Sequence, residues 1–169
     1  MKTIAETAPD RMGAGLVLPP WASPTVLFLS LGGLGVSTYL TFAHYVGAVA
    51  LACPDSGAIN CEKVTTSPQS VIFGVPVAVL GLVFFAAMLL LGLPRVWRTP
   101  DPVLRLTRLG VAVSGVAFAV YLIYTELFTV HAICLWCTSA HILAFLTFVA
   151  VLLAENFAGP LTRSNADRG

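Results

Sequence analysis

The chain has 169 residues, 57% of them hydrophobic and only 10% charged, with a formal net charge of +1. A water-soluble domain carries roughly 25% charged residues, so this chain cannot cover a water-facing surface and its solvent is lipid. The near-zero balance leaves no basic excess to neutralise phosphates, which excludes nucleic acid as a partner. The length accommodates a single domain.

Residues 1–24 mix Lys2, Glu6, Asp10 and Arg11 with a short apolar run broken by Pro19 and Pro20. A secretory signal instead has a continuous apolar run behind a basic start. The stretch therefore reads as a cytoplasmic N-terminal tail.

Four apolar segments follow within one domain over 25–154, and each reaches the ~20 residues that cross hydrocarbon. They cover 25–45, 72–93, 104–130 and 132–153. Lipid offers no partner for an open backbone, so all four are expected as helices. The fold class is all-α, an integral-membrane bundle of four transmembrane helices. Gly32, Gly33 and Gly35 in the first segment would admit a neighbouring helix at close range.

Basic residues collect on the cytoplasmic side of a membrane. Arg95, Arg98, Arg105 and Arg108 cluster around the connection between the second and third segments. Lys2 and Arg11 precede the first, Arg163 and Arg168 follow the fourth, and 155–169 form a C-terminal tail. With both termini inside, eight of the nine basic residues are cytoplasmic and Lys63 alone is outside.

This topology gives all four cysteines one address. Cys53 and Cys61 fall in the outer loop over 47–71, and Cys134 and Cys137 at the outer start of the fourth segment. Disulfides form and persist on that side of a membrane. Cys134-Leu135-Trp136-Cys137 is a C-x-x-C whose thiols share one helical face. The amides and dipole of a first turn lower a thiol pKa and favour the nucleophilic thiolate. Such a pair suits dithiol–disulfide exchange. A stapling disulfide is the plainer alternative, though so short a loop removes little entropy. A zinc site completed by Cys53 and Cys61 is a third. Pro54, Asp55, Gly57 and Asn60 are turn formers that would keep the loop pair mobile. A disulfide there could shuttle electrons between an external protein and the inner pair, or simply stiffen the loop.

These residues resemble the vitamin K epoxide reductase family in its bacterial form. The match rests on two loop cysteines with seven residues between them, on Ser67 six after the second, and on the C-x-x-C heading the fourth segment. The stretch Gly74-Val75-Pro76-Val77-Ala78-Val79-Leu80-Gly81 also resembles the family's entry into its second span. The likeness covers about 25 to 153. The related DsbB oxidases place their C-x-x-C early and their loop pair late, so the order here matches the former.

The resemblance implies a four-helix bundle around a quinone, capped outside by a loop and a short half-helix, here over 62–68. It implies catalytic roles for Cys53, Cys61, Cys134 and Cys137. Cys61 would exchange with Cys134, Cys53 with a partner protein, and Cys137 would face the quinone. Ser67 would lie near the relay, or simply cap its turn. The animal enzymes carry a tyrosine four residues after the last cysteine where this chain has His141, which favours plain quinone reduction over epoxide reduction. Many bacterial members continue into a thioredoxin-like domain, so a separate thioredoxin-fold (DsbA-like) protein is the expected partner.

Ionisable groups in lipid are expensive and imply function by default. His141, one turn beyond Cys137, would donate to a quinone carbonyl or bond a neighbouring helix. Trp136 would stack on the quinone or on the loop, and Glu126 and His44 would sit at the interface. Phe73, Phe84 and Phe118 would line a pocket or simply face lipid. The sequence thus predicts an oxidoreductase relaying electrons from partner dithiols to a menaquinone, ubiquinone or vitamin K-type quinone, with no metal. The same relay could serve as a quinone or epoxide reductase. A non-enzymatic membrane protein with structural disulfides is the competing class.

Overall fold

The computed structural model describes residues 19–47, 51–53, 57–99 and 101–157. Most of both expected tails, and Pro54 and Asp55 of the loop, lie outside the described residues. The elements run α1 (Ala22–Val46), α2 (Cys61–Thr65), β1 (Val71–Ile72), β2 (Val75–Pro76), α3 (Val77–Gly92), α4 (Pro94–Arg98), α5 (Pro102–Thr125) and α6 (Leu135–Asn156). A 3₁₀ turn, Pro68–Ser70, precedes the strands, and a π-helical turn, Glu126–Val130, extends α5.

Local chemistry sets the ends. The Asn60 side chain accepts the Lys63 N–H at 2.7 Å and starts α2. Asp101 accepts the Val103 N–H at 2.8 Å ahead of Pro102, where the ring costs no helical hydrogen bond. Phe73 and Gly74, both at positive φ, form the two-residue turn that pairs β1 with β2, a backbone twist suited to tight hairpins.

Among the described residues three helices are long and apolar enough to cross a membrane: Ala22–Val46, Pro102–Val130 and Leu135–Asn156. The protein is an integral membrane protein. The second expected segment begins later than its hydropathy suggests, because 71–76 are spent on the hairpin and the helix itself has 16 residues. Periodicity could not separate these, since both stretches are continuously apolar.

α1 packs against both α3 and α6, and α5 closes the bundle against α6 and α3. Large apolar side chains including Phe28, Leu31, Leu90, Leu106, Val120 and Phe145 point outward, a surface that hydrocarbon matches and water does not. Gly33 is where the close approach occurs: a Cβ there would overlap the Phe85 ring. Gly32 meets only Leu143 at ordinary distance and Gly35 meets nothing.

Two apolar clusters divide the interior. One holds Val26, Met88, Trp97, Ala112 and Val151 at the arginine end. There the fully buried Arg108 guanidinium lies 3.8 Å from the Trp97 ring centroid and binds Glu155 at 3.1 Å. The other cluster holds Leu40, Cys61, Val64, Val130, Ala132 and Cys134.

Candidate functional site

Cys53 and Cys61 form a disulfide with their Cα atoms 6.1 Å apart. Both ends of it are anchored. The Ala52 N–H donates to the Tyr39 hydroxyl at 2.9 Å, and the Ala52 carbonyl accepts the Trp136 indole N–H at 3.1 Å. The Tyr39 and Trp136 rings meet at 4.6 Å. At the other end the Ile133 N–H donates to Ala58 O at 2.8 Å and the Asn60 N–H to Ile133 O at 3.1 Å, so the loop runs beside the entry to α6. Cys61 itself is buried at the start of α2. The described part of the loop is thus tied down where mobility was expected, because its backbone groups find partners on α1 and α6.

Cys134 and Cys137 are free thiols. Cys134 caps α6, its sulfur accepting the Cys137 backbone N–H at 3.2 Å. Donation from the Cys137 thiol, with that N–H, lowers the Cys134 pKa below the ordinary thiol value, against a desolvation cost that works upward. The fully buried Cys134 shares its apolar cluster with Cys61, and Cys53 and Cys137 pack against that cluster. The four cysteines are therefore gathered at one end of the bundle.

Below them is a cavity of about 370 Å³, within the range of small-molecule sites. Cys137, Ser67 and His141 all line it, together with apolar side chains such as Phe84, Phe118 and Leu122. The Ser67 hydroxyl donates to Val64 O at 2.8 Å, which holds the turn after α2. The His141 Nδ1 atom is buried and has no hydrogen-bond partner among the described residues. Trp136 is turned to the loop through its bond to Ala52, and Phe73 stands fully exposed on the hairpin.

Glu126 and His44, expected at the interface, both line the cavity, and Glu126 is buried. Gln69, Ser37 and Thr125 add further polar edges that the sequence reading did not single out. A carboxylate inside an apolar window with no basic residue near it was the available signal for Glu126. Among the described residues no group of three or more His, Cys, Asp or Glu side chains is gathered for a metal.

Two adjoining cysteine pairs over a cavity in an apolar bundle form an arrangement suited to moving electrons between thiols and a lipid-soluble molecule. The family model described as Vitamin K epoxide reductase family matches residues 24–152. The match takes in all or most of every helix described above and all four cysteines, so the chain belongs to the vitamin K epoxide reductase family and is a membrane oxidoreductase.

Proposed function

We propose that this protein is a membrane thiol oxidase that relays electrons from a thioredoxin-fold partner, through Cys53–Cys61 and then Cys134–Cys137, to a quinone. The observation that carries this reading is that Cys137 lines the cavity while its neighbour Cys134 shares a buried cluster with Cys61. One thiol of the inner pair thus faces a ligand space and the other faces the outer pair. The cavity suits a quinone ring, with apolar walls from Phe84, Phe118 and Leu122 and polar groups on His141 and Gln69 for its two carbonyls. When bound, that group accepts two electrons and two protons.

In this reading a partner thiolate attacks Cys53, breaking the Cys53–Cys61 bond and releasing the Cys61 thiolate. The second partner thiol resolves the mixed disulfide, leaving the partner oxidised and the loop pair reduced. Cys61 then attacks Cys134 of an inner disulfide and releases Cys137. Cys53 attacks Cys61 in turn, which restores the Cys53–Cys61 bond and leaves both inner thiols reduced. Cys134 and Cys137 finally deliver two electrons and two protons to the quinone and close their own disulfide.

We also propose that α3 is the fourth span. It is about 24 Å long at 1.5 Å per residue, packs along α1, and is followed by α4, whose Arg95 and Arg98 suit a headgroup region. α2 and the following 3₁₀ turn act as the outer cap. By the distribution of basic residues, both termini are cytoplasmic and the cysteines face the outside of a bacterial plasma membrane. His141, where the animal enzymes have tyrosine, supports plain quinone reduction.

The test uses the purified full chain in lipid nanodiscs with dithiothreitol and menadione. Quinone reduction that disappears in Cys137→Ala is the expected outcome, and undiminished reduction in that variant would sink the reading. In cells, Cys61→Ser should leave Cys53 trapped in a mixed disulfide with a thioredoxin-fold protein.

A further inference from the structure

Among the described residues Glu126 is the one cavity-lining carboxyl, and nothing in the relay above uses it. It is buried at the first position of the π-helical turn. Its backbone carbonyl accepts the Ala132 N–H at 3.2 Å, which folds 131–134 back over the end of α5. That return leads directly to Cys134, which is buried in one cluster with Val130 and Ala132 of the same turn. Among the described residues the ion pairs join Glu155 to Arg105 and Arg108, so Glu126 has no counter-cation there. The other titratable side chains lining the cavity among the described residues are His44 on α1 and Cys137 and His141 on α6. A buried, unpaired carboxyl is costly in a membrane segment and calls for a use. A π-turn is a common device for placing such a group.

We propose that Glu126 carries a proton for the inner cysteine pair: its carboxylate takes the proton of Cys134 as that sulfur bonds to Cys137, and returns it to the reduced quinone. The proposal rests on the quinone reading above. Two S–H bonds break and one S–S bond forms, and the two electrons go to the quinone. The Cys137 proton goes to one of its oxygens and the Cys134 proton, through Glu126, to the other. Glu126 ends in the protonation state in which it began. Its place on the cavity wall with Cys137, and the backbone bond that ties its turn to the segment entering Cys134, put it between proton donor and acceptor.

The test compares the full-length wild type with Glu126→Gln and Glu126→Asp in nanodiscs. The first readout needs no quinone: the pH midpoint for alkylation of Cys134 by iodoacetamide. A carboxylate beside Cys134 opposes its thiolate, so Glu126→Gln should move that midpoint to lower pH and make Cys134 more reactive. The second readout is menadione reduction, which the same variant should slow on the order of 100-fold, the scale of lost acid–base assistance, with KM unchanged. Glu126→Asp should recover much of the rate. More reactive thiols with slower turnover is a combination that a merely structural role does not produce. An unshifted midpoint, undiminished turnover in Glu126→Gln, or equal loss in both variants would overturn the proposal. A wild type inert toward menadione fails the parent reading instead, and the quinone-free alkylation shift tells the two failures apart.

Discussion

The Trp136 indole N–H donates to the Ala52 carbonyl at 3.1 Å, tying the residue before Cys53 to the residue before Cys137. One side chain thereby fixes the outer disulfide relative to the inner pair, with Tyr39 as the second support. Trp136→Phe keeps an aromatic ring against Tyr39 and removes only the donor. A single hydrogen bond of this kind contributes about 1 kcal/mol net. The expected result is a several-fold faster reduction of Cys53–Cys61 by dithiothreitol with an almost unchanged melting temperature. An unchanged reduction rate would mean that Tyr39 and the disulfide alone hold the segment.

The acid strength of Cys134 has a separable cause. Its pKa is lowered first by the thiol of Cys137 and further by that residue's backbone N–H. Cys137→Ala removes the thiol and keeps the N–H. The sign follows directly: losing the larger lowering contribution moves the Cys134 pKa up, so its alkylation midpoint shifts to higher pH. The thiolate then persists over a narrower alkaline range. Alkylation rates measured across pH check this, and a midpoint that falls or stays put contradicts the assignment.

The seam between α1 and α3 rests on a missing methyl group. A Cβ on Gly33 would overlap the Phe85 ring, and Phe85 is itself buried and part of the cavity wall. Gly33→Ala should destabilise the bundle by about 1–3 kcal/mol, the usual cost of overpacking. Gly35→Ala, two residues on and facing open space, is the control and should be neutral. Thermal unfolding in one detergent compares them, and equal melting temperatures would contradict the packing.

Much of this architecture is legible in the sequence. Hydropathy located the long helices because membrane spans are written in composition, and the helices found at Ala22–Val46 and Leu135–Asn156 differ from the expected ends by only a few residues. Cys137, Ser67 and His141 were singled out from spacing and resemblance, and they do share one cavity. The hairpin over Val71–Pro76 was not legible, since Val-Ile-Phe-Gly-Val-Pro reads as a continuous apolar run and its turn depends on the φ of Phe73 and Gly74. Nor was the burial of Glu126. Its inward direction depends on a π-turn, and an extra residue in one turn rotates a side chain by an amount that no 3.6-residue pattern encodes.

At the arginine end, Glu155 answers two cations: Arg105 at 2.6 Å and the fully buried Arg108 at 3.1 Å. Arg108 also lies flat on Trp97, which joins α4 to α5 and α6. A buried pair of this kind is weak evidence of net stabilisation, but removing one partner leaves an uncompensated charge. Glu155→Gln should therefore cost about 3 kcal/mol, with the loss read as a lower melting temperature. Arg108→Lys should not be neutral either. A compact ammonium cannot stack on the indole plane and reach Glu155 as a guanidinium does. If Glu155→Gln melts like the wild type, the pair does not hold α4 and α6 to α5, and Trp97 packing alone must do so.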